Sequence, residues 1–126
     1  MNCLTPKINI AIEEAQKGDH KQMLGCVIFN KKKIISKGHN SCLKSVKNLH
    51  PKYQKWPGSV HAEVDAIIKA KTDLKGCDML IVRINKNKQL RLAKPCESCM
   101  NYIKYIGIHK IYYTISNYPY IQEEKI

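Results

Sequence analysis

Apolar side chains recur along this chain with two different periods, and the switches between them divide it into elements. Ile8, Ala11, Ile12 and Ala15 recur at helical spacing, with Thr5 and Pro6 as a helix start and Gly18 as its end. Met23 to Phe29 is a continuous apolar run of strand length, and after Asn30 and three lysines Ile34 to Ser36 returns beside it, which predicts a hairpin. From Gly38 to Gly58 neither period holds. Asn, Ser, Lys, two prolines and the single tryptophan make this a long loop, and loops of such length are usually functional. Val60, Val64, Ile67 and Ile68 then form one stripe, predicting a helix over 60–71 that Ser59 caps and whose first turn holds His61. Asp78 to Ile84 reads as a buried strand, Cys96 to Ile106 as a third helix stopped by Gly107, and Lys110 to Ile115 as a fourth strand of β-branched and aromatic residues. Beyond Ser116 the pattern is ambiguous, with Tyr118, Tyr120 and Ile121 marking at most a short element.

The order helix, hairpin, helix, strand, helix, strand predicts one α/β domain over residues 1–126. Its expected architecture is three-layer α/β/α, with a mixed four- to five-stranded sheet that starts antiparallel, continues in parallel through crossovers, and carries helices on both faces. Ligands in such sheets gather beyond the C-terminal ends of strands, which is here where the second and third helices begin.

Composition narrows this picture slightly. A chain of 126 residues supports one core, and its apolar runs fall far short of spanning length, so no membrane helix is expected. The N-terminus lacks the charged, apolar and small-residue succession of a secretory leader, so a cytoplasmic protein is expected, with its six cysteines as thiols. The formal charge of +12 makes a nucleic-acid partner possible. The excess is almost all Lys, beside abundant Ile, Asn and Tyr, which an AT-rich coding sequence would also produce.

Two segments carry chemistry, Val60-His61-Ala62-Glu63 and Pro95-Cys96-Glu97-Ser98-Cys99. Cys96 and Cys99 lie three apart in the first turn of a helix, so both sulfurs can face one point where the helix dipole favours thiolates. His61, in the first turn of another helix, can supply a third ligand if the two helix starts abut. Two thiolates and an imidazole suit Zn²⁺ and leave a fourth position for a water whose pKa the metal lowers. Glu63, two residues from His61, points elsewhere than the ligand, so its carboxylate can stand beside the metal and carry a proton. The pairing H-x-E with P-C-x-x-C is a known signature of zinc-dependent nucleobase deaminases.

Over nearly its whole length the chain resembles the cytidine and deoxycytidylate deaminase superfamily. Gly38-His39-Asn40 resembles the end of that family's second strand, His61 to Ile67 its first metal segment, and Pro95 to Cys99 its second. The resemblance implies the cytidine deaminase-like fold, Zn²⁺ as cofactor, His61, Cys96 and Cys99 as its ligands, and Glu63 as the catalytic residue. It also implies substrate contacts at Asn40, which would bind the sugar, and at Ala62. With His as first ligand, the chain looks closer to the deoxycytidylate and tRNA adenosine deaminases than to the small free-cytidine enzymes. The implied partners are a small pyrimidine nucleotide or nucleoside and further copies of the chain in a homo-oligomer.

Other readings of the same residues stay open at this stage. A closed structural zinc could take a fourth ligand from Cys42, Cys77, His39 or His50, as in a non-enzymatic nucleic-acid-binding module, and Pro95 to Cys99 could be a redox pair. A deaminase could also act on a base within tRNA or single-stranded nucleic acid, aided by Lys44, Lys47, Lys52 and Lys55. Trp56, Tyr53 and Tyr113 are candidates for stacking on a base, with packing as the plainer role. Cys26 and Cys77 read as small core residues.

Overall fold

The computed structural model describes residues 5–17, 23–40 and 62–126. Its elements are α1 (Thr5–Ala15), β1 (Met23–Asn30), β2 (Lys33–His39), α2 (Ala62–Ala70), β3 (Asp78–Ile84), β4 (Leu90–Arg91), α3 (Glu97–Ile106), β5 (Lys110–Thr114) and β6 (Ile121–Lys125). The strands form one mixed sheet in the order β2-β1-β3-β5-β6, with β4 paired to the end of β3. β3 and β5 are parallel, and the other pairs are antiparallel. β2, β3 and β5 therefore point the same way and end on one edge of the sheet.

Alternation along the central strands builds two cores. Cys26, Ile28, Met79, Ile81 and Ile111 pack with Val64, Ile67, Cys99 and Ile103 of α2 and α3 on one face. Val27, Phe29, Leu80, Val82 and Ile84 pack against Ala11 and Ala15 of α1 on the other. This is the expected three-layer α/β/α arrangement. β1 and β3 are buried on both faces, which is why they read as unbroken apolar runs rather than alternating ones. Fully buried side chains such as Ile28, Leu80 and Ile81 each contribute about 1.5–3 kcal/mol of transfer free energy.

Two glycines set the closeness of the layers around the β1–β2 hairpin. A Cβ on Gly38 would lie 2.4 Å from the Ala66 nitrogen and 2.7 Å from the Ala62 oxygen, so α2 rests on β2 backbone to backbone. On the opposite face, a Cβ on Gly25 would lie 2.0 Å from the Ala11 oxygen of α1. Gly107 ends α3 in the left-handed region, φ 96°, its N–H reaching the carbonyls of Ile103 and Lys104.

Among the described residues the sheet has six strands where the sequence pattern predicts four to five. β4 is two residues long and β6 is Ile-Gln-Glu-Glu-Lys, so neither shows the apolar alternation that marks a strand; both are held by pairing to a stronger neighbour. β2 runs on to His39, past the Gly38 at which the loop was expected to start. The second helix ends at Ala70, one residue short of the expected Lys71, and its expected start at Val60 and His61 lies outside the described residues, while Cys96 is the N-cap of α3 and not its first residue. Among the described residues, no helix is long and apolar enough to cross a membrane.

Candidate active site

At the edge where β2, β3 and β5 end, the segment after β4 crosses the sheet, its Ala93 N–H bonded to the Thr114 carbonyl at 2.9 Å. The chain then turns into α3, which places Cys96 at the surface and Cys99 in the interior. α2 starts at the same edge, with Ala62 against Gly38 and Glu63 buried in its first turn. The two helix starts meet through side chains: the Cys99 thiol lies near enough to the Glu63 carboxylate and to Cys96 to interact with both.

Burial dominates the electrostatics. It lifts the Glu63 carboxyl above the usual carboxylate range, against the opposing hydrogen bonds from its own backbone N–H and from Cys99. Burial also lifts the Cys99 thiol well above its ordinary value, and the Glu63 charge and Cys96 add to this. Beneath them Cys26 is fully buried, its thiol raised by desolvation and then by the charges of Glu63 and Asp65. Acidic and thiol groups thus crowd one buried point, and neutralising that point is what a divalent cation does best.

α2 is fastened to β2 by polar contacts that no local pattern foretold. Asp65, buried, accepts the His39 backbone N–H at 3.0 Å and pairs with Lys69 at 3.0 Å. The Ser36 hydroxyl donates to the Ala66 carbonyl at 2.7 Å. On the far face the His39 ring meets Glu14 of α1 at 3.0 Å, with Lys17 on the other carboxylate oxygen at 3.1 Å. Burial would raise the Glu14 carboxyl, but the hydrogen bonds from His39 and Lys17 outweigh it and hold it below its ordinary value. Asn40, the next residue, is buried, and its Oδ1 accepts the Leu24 N–H at 3.0 Å, fixing the carboxamide at the rim of the site.

Of the residues singled out in the sequence, Glu63, Cys96 and Cys99 come together, Ala62 lies beside them, and Asn40 sits at the end of the neighbouring strand. His61 lies outside the described residues, directly before Ala62, as do Cys42, His50, Tyr53, Trp56 and the loop lysines. Among the described residues no group of three His, Cys, Asp or Glu side chains is poised to hold a metal. Two readings of a closed zinc site lose their fourth ligand: Cys77 precedes β3 at the opposite edge of the sheet, and the His39 ring is turned to Glu14. Tyr113 is packed, its hydroxyl donating to Glu124 at 3.2 Å, so it offers no face for stacking. Cys26 and Cys77 are buried thiols, as their small-core reading anticipates.

Among the described residues the sulfurs of Cys96 and Cys99 on one helix start, next to the buried Glu63, are donors of the kind zinc takes. The sequence model described as "Cytidine and deoxycytidylate deaminase zinc-binding region" matches residues 2–115, and the chain belongs to that family. It is 31% identical over 97 residues to an uncharacterized deaminase in the luxG 3' region of Aliivibrio fischeri, an overlap of 75% of this chain and 59% of that protein. The chain thus spans under two-thirds of that relative's length.

Solved structures share the fold at lower identity. The dCMP deaminase of cyanophage S-TIM5 is similar with a TM-score of 0.56 and 19% identity, over 88% of this chain and 85% of that one. A diaminohydroxyphosphoribosylaminopyrimidine deaminase/5-amino-6-(5-phosphoribosylamino)uracil reductase of Thermotoga maritima is similar with a TM-score of 0.61 and 22% identity, over 94% of this chain and 31% of that one.

Proposed function

We propose that the protein catalyses zinc-dependent hydrolytic deamination of a cytosine nucleotide or nucleoside, releasing ammonia and the uracil product. The observation that carries this reading is the contact between Cys99 and the buried Glu63, which joins the two chemical segments at one point. His61, Cys96 and Cys99 would hold the zinc, which when bound supplies an activated water. Glu63 accepts a proton from the attacking water and delivers it to N3 of the base as the C4–O bond forms. It then assists the departure of ammonia as the C4–N bond breaks. Burial raises that carboxyl above its ordinary range, which favours its holding the proton between the two halves of the transfer. Asn40, its carboxamide oriented by Leu24, meets the sugar, and Ala62 lines the base pocket.

The cyanophage dCMP deaminase, whose structure is also known with dCMP and dUMP, supports dCMP as the first substrate to test. Replacing Glu63 by Gln should leave the zinc content unchanged and lower turnover at least about a hundredfold. A variant retaining a tenth or more of the wild-type rate would exclude Glu63 as the proton carrier. Ammonia release from dCMP, CMP, deoxycytidine, cytidine and adenosine nucleotides then ranks the base and its carrier, and light scattering tests for the homo-oligomer.

A further inference from the structure

We propose that the turn joining β5 to β6 is a docking surface for single-stranded nucleic acid, with the rings of Tyr118 and Tyr120 as stacking faces for its bases. The hairpin treats its aromatic residues in two ways. Tyr113 is buried, and Tyr112 lies against Phe29 with ring centroids 6.2 Å apart. Tyr118 and Tyr120, by contrast, are 86% and 46% exposed and meet edge to face at 6.1 Å. Leu92, on the segment that crosses the end of β5, is 53% exposed.

Backbone geometry argues that this display is not incidental. Tyr120 holds a positive φ of 69°, a region that disfavours bulky side chains, while its N–H bonds the Asn117 carbonyl and its carbonyl accepts the Ile115 N–H. The turn needs a left-handed residue there, a position that Gly or Asn fills without strain. An aromatic ring at that position is strained and, half in solvent, recovers little by burial. A strained, half-exposed ring raises the question of what else it meets besides Tyr118.

What it meets is set by position and charge. The turn lies on the same sheet edge as Glu63, Cys96 and Cys99, and β6 is two strand spacings from β3, about 10 Å. Arg83 and Arg91, paired across β3 and β4, and Lys94 stand on this edge, against the acids Glu97 and Glu124. Among the described residues burial removes three acids, Glu14, Glu63 and Asp65, but one base, Lys7, so their exposed surface is more basic than their formal charge. Exposed aromatic faces among cations fit a ligand with repeated flat bases and phosphates. Single strands offer those faces, and a duplex hides them.

Fluorescence anisotropy with labelled twelve-nucleotide single-stranded DNA, single-stranded RNA and duplex DNA tests this without reference to turnover, so it stands or falls separately from the proposed deamination. The expected result is tighter binding of at least one single strand than of duplex, and at least a tenfold loss in Tyr118→Ala/Tyr120→Ala. Tyr118→Phe/Tyr120→Phe, which keeps the rings, should bind within twofold of wild type, and both variants should keep the wild-type unfolding midpoint. A smaller loss in the Ala variant, equal affinity for duplex, or a change of oligomeric state in its place overturns the proposal, the last by showing that a second copy occupies the turn.

Discussion

The carboxylate of Asp65 reaches from α2 to the last residue of β2, accepting the His39 N–H at 3.0 Å. It joins the helix turn that carries Glu63 to the strand end that carries Asn40. Asp65→Ala would leave a buried N–H without its acceptor, and hydrogen bonds to charged groups contribute about 1.5–3 kcal/mol. A loss of that size in urea unfolding is expected. Asp65→Asn keeps an acceptor and should cost less, and an Asp65→Ala variant as stable as wild type would show that the tie holds nothing.

Stability should fall on the acid side through Glu14. Its folded pKa lies below the ordinary value of 4.5, so its contribution is complete above that value and is lost as pH falls through the lowered folded pKa. Unfolding midpoints measured from pH 6 to about pH 3 should drop more steeply for wild type than for Glu14→Gln. Parallel curves would mean that the contacts to His39 and Lys17 leave stability unchanged.

Gly38→Ala and Gly76→Ala should differ for steric reasons. At Gly38 the new methyl meets the backbone of Ala62 and Ala66, so α2 must shift; overpacking of this kind costs about 1–3 kcal/mol or more, and Glu63 moves with the helix. At Gly76 nothing lies within 4 Å, and only the positive φ of 84° opposes the change, at about 1–2 kcal/mol. Turnover should therefore fall in the first variant and persist in the second.

Zinc loading should distinguish the thiols. Cys99→Ser is expected to reduce bound zinc from about one per chain to about a tenth or less, and to lower the melting temperature, since metal binding is linked to folding. Cys26→Ala, just as buried, should lose some packing yet keep its zinc. Equal zinc loss in both would remove Cys99 from the ligand set.

Some of this was legible in the sequence because local pattern and tertiary role coincide. β3 is buried on both faces, so its apolar run marks Asp78–Ile84 to the residue. Cys96 and Cys99 announce themselves by spacing at a helix start. β6 gave no such sign, because antiparallel pairing to β5 holds Gln122, Glu123 and Glu124 in a strand despite their composition. Asp65 with His39 and Glu14 with His39 join residues 26 and 25 apart, separations at which no periodicity reports. The strained Tyr120 reads as an ordinary aromatic until its φ is known.

Gly25 and Gly38 occupy neighbouring strands and open to opposite faces, so α1 and α2 press on one hairpin from both sides with no side chain between. Elsewhere in the core a lineage can trade Ile for Val or Leu and let neighbours take up the difference. At these two positions there is no volume to trade, and the smallest possible addition, one methyl, displaces a helix. They are the fixed points around which the rest of the sandwich is free to drift.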